Sequence, residues 1–386
     1  MKLGIDITAT DGAARAGVVT TVRGEIRTPV FMPVGTRGTI RALTSNDLTQ
    51  IAAADGTAPE VMLANTYHLM MRPGAETVAA LGGLHRFSGW DGHMLTDSGG
   101  YQVFSMDPKV TDEGATFRST YDGDLELLTP ERAVHLQELL GADIQMVLDV
   151  CAPLPSSHRV LRDAVVRTAE WAARAKQAHR RTDDQALFGI VQGGDDQQLR
   201  GESARRTVEL DFDGYAIGGL SVGEPRERML PALEAAIAEL PIDQPRYLMG
   251  VGDPVSIVEA VARGVDMFDC VLPTRLARHG TLLTDTGRLN INRSEFARSD
   301  EPIAADCACS TCAKCSRGYL RHLATVGEPT AATLCTVHNL TWILGLVGRI
   351  RSAIASGTLD ALRLEVGAIW GGIGPGMPPP VATTET

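Results

Sequence analysis

The stretch RYLMGVGDPVSIVEAVARGVDMFDCV, residues 246–271, gives the clearest indication of how this chain folds. It predicts a strand in RYLMGVG, a helix over residues 256–263 and a second strand in VDMFDCV that ends near Asp269. Both strands are apolar enough to be buried on two faces, and a helix between them is the connection that parallel neighbours need. The stretch therefore indicates one strand–helix–strand unit of an α/β sheet.

The same alternation begins near residue 130 and continues to this stretch. Thr129, Pro130 and Glu131 are residue types that favour the cap, the first position and the first turn of a helix. Buried strands are then predicted in IQMVLDV, ALFGIVQGG and GYAIGGL, and helices around 160–179, from about 197 and near 226–240. Five strand-to-helix steps in succession indicate a mostly parallel sheet.

Two earlier strands, in PEVMLANTYHL and GHMLTDSGGYQ, raise the number of such strands to at least seven. No glycine fingerprint for nucleotide binding opens a helix, which disfavours a doubly wound sheet. We therefore predict a (β/α)8 barrel, in which catalytic groups gather where the strands end. The candidate residues at those ends are Asn65, Asp97, Asp149, Gln192, Gly218, Gly219, Gly250 and Asp269.

Composition limits the cellular locations and the partners that we expect for this protein. Its 386 residues, 44% of them hydrophobic, can bury one large core. The opening MKLGIDITAT does not resemble a secretory signal, and the apolar run TWILGLVGRI is interrupted by Arg349. We therefore expect a cytoplasmic protein with no membrane partner. The net charge of −11 argues against non-specific adhesion to nucleic acid, although local basic patches decide specific binding.

The segment CACSTCAKC, residues 307–315, holds four of the seven cysteines. A cytoplasmic setting disfavours disulfides and favours metal binding. Cys307, Cys309 and Cys312 form a C-x-C-x-x-C pattern that suits a tetrahedral zinc ion, and the fourth ligand is either Cys315 or His338. A site closed by four protein ligands is structural. The alternative is four free cysteines in a loop.

Three aspartates at strand ends are candidates for chemistry. A single aspartate there often only caps the next turn. Asp97, Asp149 and Asp269, however, lie at ends that converge on one barrel mouth. Two carboxylates facing a glycosidic bond can serve as nucleophile and proton-transfer group, which is the arrangement that retaining glycosyl transfer requires.

Glycine pairs follow several of these strands. Gly99–Gly100, Gly193–Gly194 and Gly218–Gly219 either let the backbone approach a planar ligand or form ordinary tight turns. Tyr101 follows the first pair and either stacks on such a ligand or only packs. Cys151 has no evident histidine partner, so we expect its thiol to be inert.

The cysteine segment follows the last clear barrel strand and divides the chain. We predict a catalytic barrel over residues 1–300, an inserted zinc-binding subdomain over 301–345 and a helix over 346–370 that closes the barrel. The remaining residues, 371–386, are rich in glycine, proline and threonine, which predicts a disordered tail.

Six motifs closely resemble those of the bacterial tRNA-guanine transglycosylases. They are TDSGGYQVFS, VQGG, GGLSVGE, YLMGVG, DMFDCVLPTR and the C-x-C-x-x-C segment with a distal histidine, in unbroken order from about Gly17 to His338. The resemblance implies base exchange at the wobble position of tRNAs with a G-U-N anticodon. Guanine leaves, and a 7-deazaguanine base, in bacteria usually 7-aminomethyl-7-deazaguanine, enters on the path to queuosine.

The resemblance also implies roles for individual residues. Asp269 would be the nucleophile that attacks the anomeric carbon of the ribose, and Asp97 the general acid and base. The implied base-binding residues are Asp149, Gln192, Gly219 and Cys151, with Tyr101 and Met249 on the two faces of the ring. Arg275 and Arg278 would contact the anticodon loop of the tRNA. The implied ligands of one structural zinc ion are Cys307, Cys309, Cys312 and His338.

Several positions depart from the pattern of this family. Val150 stands where glutamate is usual, and Leu276 and His279 replace asparagines in PTRLARHG. Asp253 stands where a lysine often follows GVG, whereas Val222 resembles the bacterial form and favours the aminomethyl base. These changes affect residues around the base and the tRNA, while both catalytic aspartates are present.

Two other functions are compatible with parts of this pattern. One is a catalytically silent relative that binds tRNA as a partner subunit, against which the presence of Asp97 and Asp269 argues. The other is a retaining glycoside hydrolase on the same barrel, which predicts sugar-stacking aromatic residues in a chain that is only 5% aromatic. A homodimer is expected from the resemblance.

Overall fold

The computed structural model describes residues 3–371, and its centre is an eight-stranded parallel sheet. Smaller sheets contain the other strands. In chain order, all strands of the described residues are β1 (Ile5–Asp11), β2 (Ala14–Thr21), β3 (Gly24–Thr28), β4 (Val30–Pro33), β5 (Val61–Ala64), β6 (His93–Thr96), β7 (Lys109–Val110), β8 (Ala115–Arg118), β9 (Leu125–Leu128), β10 (Ile144–Met146), β11 (Ala186–Val191), β12 (Gly214–Ile217), β13 (Arg246–Leu248), β14 (Met267–Cys270), β15 (Thr281–Thr284) and β16 (Gly287–Asn290).

Helices separate most of these strands and flank the sheet. They are α1 (Ser45–Thr49), α2 (Thr66–Met71), α3 (Ala75–Ala80), α4 (Gly83–Ser88), α5 (Gly100–Phe104), α6 (Pro130–Leu140), α7 (His158–Ala178), α8 (Gln197–Val208), α9 (Arg226–Ile237), α10 (Pro254–Val261), α11 (Leu272–Arg278), α12 (Ser310–Lys314), α13 (Arg317–Thr325), α14 (Pro329–Ser356) and α15 (Leu359–Trp370), with a 3-10 turn at Ser294–Arg298.

The central sheet closes on itself. Its strand order is β4-β14-β13-β12-β11-β10-β6-β5, and every neighbouring pair is parallel. A parallel bridge from Val34 to Leu63, with the amide of Gly35 donating to the carbonyl of Leu63 at 2.7 Å, joins the two outer strands. The predicted (β/α)8 barrel is therefore confirmed, and the carboxyl ends of its strands form one mouth.

Local capping explains why helices begin where the sequence predicts. Thr129 caps α6 by accepting a hydrogen bond from the amide of Arg132, with Pro130 at the first helical position. The helix ends at Gly141, whose φ of 74° is in the left-handed region that glycine tolerates. The helix within residues 246–271, α10, is capped in the same way by Asp253.

The amino end of the barrel is held by a buried ion pair. Arg15 of β2 donates to both carboxylate oxygens of Asp266, at 2.8 and 2.6 Å, and the amide of Arg246 donates to the same carboxylate at 2.7 Å. Asp266 thus lies at the opposite end of β14 from Asp269. It connects the antiparallel sheet β1–β2–β3 to the barrel and is remote from the mouth.

The long helix α14 carries the C-terminal part of the chain across the barrel. It is 28 residues long and apolar enough to span a membrane, but 72% of its most apolar window is buried within the protein, as in a core helix. The helix runs without a break through residues 345 and 346, where we placed a segment boundary. The division into segments stays a prediction, and residues 372–386 of the predicted tail lie outside the described part.

Candidate active site and metal site

Asp97 follows β6 directly and is fixed at the barrel mouth by four groups. The Asn65 side chain donates to its Oδ2 at 2.6 Å, and the amides of Thr66 and Gly99 donate to its Oδ1 at 2.9 and 3.0 Å. The Thr66 hydroxyl donates to its main-chain carbonyl at 2.5 Å. The carboxylate therefore has one defined orientation.

Asp269 lies at the carboxyl end of β14 and faces the same mouth. Tyr247 donates its hydroxyl to Oδ1 of Asp269 at 2.6 Å, and the amide of Gly250 donates to the same oxygen at 2.7 Å. Because both donors bind Oδ1, Oδ2 is the oxygen available to a ligand. Tyr247 is fully buried on β13, and nothing in its sequence context distinguishes it from a core tyrosine.

The charge of Asp269 acts on Asp97. Burial, and to a smaller extent this charge, raise the pKa of Asp97 to about 7 against the opposing effect of the hydrogen bonds from Thr66, Gly99 and Asn65. Burial also raises the pKa of Asp269, which the bonds from Tyr247 and Gly250 lower. A pair of neighbouring carboxyls in which one readily holds a proton suits acid and base chemistry.

Asp149 and Gln192 form a second polar pair at the mouth. The Gln192 side-chain amide donates to Oδ2 of Asp149 at 2.5 Å, although 43 positions separate the two residues. Both are buried, and the main-chain amide of Gln192 is held by the Ser203 hydroxyl at 2.9 Å. Burial raises the pKa of Asp149 to about 6. The pair presents an amide and a carboxylate side by side, which suits a ligand with both donors and acceptors.

The glycine pair Gly218–Gly219 packs directly against Gln192. A β-carbon on Gly219 would lie 2.3 Å from Oε1 of Gln192, and one on Gly218 would lie 2.8 Å from its Nε2. Gly219 also has a φ of +65°. A side chain at either position would have to displace the Gln192 amide, and the φ of Gly219 also favours glycine, so the backbone of this loop lines the site.

Arg200 is a residue of this site that the sequence analysis missed. Its guanidinium is fully buried and donates to the carbonyl oxygens of Gly194 at 2.7 Å, Val191 at 3.0 Å, Gly218 at 2.7 Å and Gly219 at 3.0 Å. It thus joins the loop that follows β11 to the loop that follows β12. An arginine in a helix is usually exposed, so no local pattern reveals this role.

The remaining predicted base-binding residues surround these groups. Tyr101 lies in the first turn of α5 and is 53% exposed, and Met249 follows β13 with its sulfur 3.4 Å from where a β-carbon on Gly218 would be. Burial and the nearby Asp149 raise the pKa of Cys151 to about 12, so its thiol is protonated and not a nucleophile. All lie at the mouth, while their base-binding roles stay predictions.

Arg275 and Arg278 lie on α11, which follows Asp269 and β14. Burial lowers the pKa of Arg278, and the charges of Arg41 and Arg275 lower it further. The two predicted tRNA contacts are therefore placed at the rim of the mouth next to the proposed nucleophile. Their contact with tRNA stays a prediction.

The four predicted zinc ligands converge at one point. The ligand atoms of Cys307, Cys309, Cys312 and His338 lie within 4.8 Å of one another, and Nδ1 of His338 is 3.3 to 3.7 Å from the three sulfurs. Three sulfurs and one imidazole nitrogen suit a structural zinc ion, and Cys315 is not one of the group. The fourth ligand in this cluster is therefore His338 rather than Cys315.

The orientation of His338 is fixed by a backbone carbonyl. Its Nε2 lies 2.8 Å from the carbonyl oxygen of Leu283, so Nε2 carries the proton and Nδ1 is free to bind metal. The adjacent Asn339 accepts from the amide of Leu283 at 2.9 Å and donates to the carbonyls of Pro273 and Thr281 at 2.9 and 3.0 Å. The metal site is thus connected through α14 to α11 at the mouth.

Two of the departures from the family pattern have structural explanations. Asp253 caps α10 through the amide of Ser256 at 3.0 Å and pairs with Arg226 at 2.9 Å. Val150 is buried in the core, with its amide bound to the Thr168 hydroxyl at 2.9 Å. Nothing in the structure explains the replacement of asparagine by Leu276 or His279.

Comparison with known proteins agrees with this geometry. The family model described as queuine tRNA-ribosyltransferase matches residues 10–370. The queuine tRNA-ribosyltransferase of Desulforudis audaxviator is 51% identical over 352 residues, covering 91% of this chain and 93% of that protein. The corresponding protein of Symbiobacterium thermophilum is 50% identical over 353 residues (91% and 87%), and that of Solidesulfovibrio magneticus is 50% identical over 363 residues (93% and 96%).

Proposed function

The chain belongs to the queuine tRNA-ribosyltransferase family, and on this premise we propose that it exchanges guanine at the wobble position of G-U-N anticodon tRNAs for a 7-deazaguanine base. In this proposal the incoming base is 7-aminomethyl-7-deazaguanine, and the reaction serves queuosine biosynthesis. The enzyme is thus a pentosyltransferase. The observation that supports the proposal best is the presence of two carboxylates, Asp97 and Asp269, at one barrel mouth. Each is oriented by its own hydrogen-bond donors.

In the first displacement, Oδ2 of Asp269 attacks the anomeric carbon of the ribose. The new carbon–oxygen bond replaces the bond to N9 of guanine, and the tRNA becomes covalently attached. Tyr247 and Gly250 hold the other oxygen, Oδ1, so that the carboxylate does not rotate during the attack. The departing guanine takes its proton from Asp97, whose pKa of about 7 lets it hold one at neutral pH.

In the second displacement, the incoming base attacks the same carbon from the opposite side. Asp97, now ionised, takes the proton from the ring nitrogen of that base, and the bond between the ribose and Asp269 breaks. Two displacements retain the configuration at the anomeric carbon. Both carboxyl groups end in the state in which they began.

Recognition of the base is assigned to Asp149 and Gln192. Their 2.5 Å hydrogen bond holds the two side chains side by side, where both can contact the edge of a purine-like ring. A base without the matching N–H donors offers none to Oδ1 of the buried Asp149 carboxylate, which disfavours that base. Gly219 offers its backbone, Cys151 lies beside the edge, and Tyr101 and Met249 cover the ring faces.

The tRNA enters with its anticodon loop over the mouth. The target nucleotide must leave its stack to reach Asp269, so a flipped nucleotide is expected. Arg275 and Arg278 lie next to Asp269 on α11 and would contact the loop. The zinc subdomain supports this helix through Asn339, whose side chain binds the carbonyl of Pro273. Zinc therefore has a structural role. A homodimer and a cytoplasmic location remain part of the proposal.

The decisive experiment is incorporation of labelled guanine into unmodified tRNA with G at the wobble position. Wild type and Asp269→Asn are compared, with 7-aminomethyl-7-deazaguanine and queuine as competitors. We expect exchange in wild type, none in the variant, and stronger competition by the aminomethyl base. Asp269→Asn should keep its zinc and its fold because only one carboxylate oxygen is replaced.

The opposite results are equally informative. Normal exchange in Asp269→Asn would remove the proposed nucleophile. Wild-type protein that binds zinc and tRNA but exchanges nothing would instead fit a silent partner subunit.

A further inference from the structure

Five arginines form a basic arc along one side of the barrel mouth. Arg72 follows β5 and α2, Arg37 and Arg41 follow β4, and Arg278 and Arg275 follow β14. Because β5, β4 and β14 are consecutive in the closed barrel, the arc spans three neighbouring loops without interruption. It includes the two arginines already proposed to contact tRNA and extends beyond them over two further strands.

The exposed arginines of the arc concentrate positive charge at the mouth. Arg37, Arg41 and Arg72 are exposed, and none forms an ion pair with a carboxylate within residues 3–371. Arg41 and Arg275 both lie close enough to lower the pKa of Arg278. In a chain with a net charge of −11, a cluster of like charges at the mouth is typical of a site for an anionic ligand.

A tyrosine holds two of these arginines in place. The guanidinium of Arg72 lies 5.1 Å from the centre of the Tyr121 ring, and that of Arg37 lies 5.9 Å from it. Cation–π contacts position a guanidinium but leave its N–H donors free for phosphate oxygens. Asp122, the next residue of the turn, is exposed, so its attraction to Arg72 is weakened by water.

The tyrosine is itself anchored to the helix that begins at the active site. Its hydroxyl lies 2.9 Å from Nδ1 of His68, and the Tyr67 hydroxyl lies 2.8 Å from that of Thr120 in the same turn. Burial, with Arg37 nearby, lowers the pKa of His68 to about 4, so the imidazole is neutral at pH 7. These contacts pre-organise the turn before any ligand arrives.

The same helix links this end of the arc to the reacting carboxylate. Asn65, the cap of α2, accepts from the amide of His68 at 3.0 Å and donates to Asp97 at 2.6 Å. Arg72 ends this helix, about 10 Å from Asn65 by the helical rise. An RNA strand whose target nucleotide reaches Asp97 therefore passes within reach of Arg72 and Arg37.

We propose that the basic arc, with Tyr121 as the support of Arg37 and Arg72, binds the phosphate backbone of the RNA segment next to the flipped nucleotide. The proposal rests on the proposed function, since it takes the ligand to be an RNA loop. It adds three arginines and a tyrosine to the RNA-binding surface. Phosphate contacts position the RNA without reading its sequence, so the arc acts on every accepted tRNA alike.

The test is the salt dependence of RNA binding by the full-length protein. The probe is a labelled RNA hairpin with a G-U-N anticodon loop, bound without any free base between about 50 and about 200 mM salt. Arg37→Gln/Arg72→Gln is compared with wild type. The matched control is Arg86→Gln/Arg180→Gln, which removes two exposed arginines near the amino ends of β6 and β11. Arg37→Lys/Arg72→Lys keeps the charge.

We expect the slope of log affinity against log salt to decrease by about 1.4 in the arc variant, since each contact with a single strand contributes about 0.7. The ratio of Kd at the higher salt concentration to Kd at the lower one is then about 7-fold smaller in the arc variant than in wild type. The control variant should keep the wild-type slope, and the lysine variant should recover most of it. KM for the free base should not change, because Asp149 and Gln192 follow β10 and β11, which are not adjacent to the three strands that precede the arc.

Equal slopes in the arc variant and the control variant would overturn the proposal. The proposal would also be overturned if the arc variant changed its oligomeric mass while its salt-dependence slope stayed the same. The arc would then contact a second copy of this chain. A failure of the proposed function can be distinguished from a failure of this proposal. It would appear as absent guanine exchange in the wild-type protein, whether or not RNA binding depends on the arc.

Discussion

Tyr247 donates its hydroxyl to Oδ1 of Asp269 at 2.6 Å, from the neighbouring strand of the barrel. The amide of Gly250 donates to the same oxygen at 2.7 Å. Both bonds stabilise the ionised carboxylate and oppose the effect of burial, which raises its pKa. In the proposed mechanism, Tyr247 therefore favours the ionised form of Asp269 and fixes its orientation.

We predict that Tyr247→Phe slows formation of the covalent tRNA adduct by between about 10-fold and about 150-fold at neutral pH. A hydrogen bond to a charged group is worth about 1.5 to 3 kcal/mol, and its loss raises the pKa of Asp269. The acidic limb of the pH profile should therefore move to higher pH. Adduct formation is measured by denaturing gel in single-turnover experiments. Tyr215→Phe, on the adjacent strand β12, is the control, and equal rates in both variants would contradict the prediction.

A second prediction concerns the pH dependence of guanine release. In the proposed mechanism Asp97 is protonated when guanine departs, and its pKa is about 7, so the rate should fall as the pH rises above 7. Asn65→Ser removes a donor to the carboxylate, while serine still caps α2. Loss of this donor raises the pKa of Asp97 further, so the alkaline limb should move to higher pH. A shift to lower pH would exclude Asp97 as the acid.

A third prediction concerns Arg200, which binds four carbonyl oxygens of two loops. Arg200→Met leaves these buried carbonyls without donors and should lower the free energy of unfolding by about 3 kcal/mol. Arg200→Lys keeps a donor and should fold better. In that variant we expect a higher KM for the free base and an unchanged Kd for tRNA, since Gln192 and Gly219 lie on the affected loops. A raised Kd for tRNA with normal base binding would be inconsistent with this role.

The metal site gives a fourth prediction. Cys309→Ser should lose zinc and unfold the region around residues 307–315, because zinc binding energy is folding energy in small sites. Cys315→Ser, six positions away, should keep one zinc ion per chain, since its sulfur is not in the cluster. Metal content is measured by atomic emission and the fold by limited proteolysis. Unchanged zinc in Cys309→Ser, or its loss in Cys315→Ser, would reverse the assignment.

From sequence alone, seven of the eight barrel strands could be placed in order, β4 being the exception, together with the positions of the candidate chemical groups. Strand burial, helix capping at Thr129 and the cysteine spacing are local patterns, so they can be read without long-range contacts. For the same reason, Asp97 and Asp269 were identified as residues at strand ends. The family pattern supplied their roles, since local sequence does not distinguish a nucleophile from a turn cap.

Only the tertiary structure decided which distant groups meet. His338 rather than Cys315 completes the metal cluster because α14 packs beside the cysteines. The Gln192–Asp149 pair depends on barrel closure in the same way. Arg200 and Tyr247 act through buried contacts, and the basic arc through neighbouring loops, which no local pattern encodes. Such relations follow from barrel closure, which brings residues far apart in the chain to one mouth.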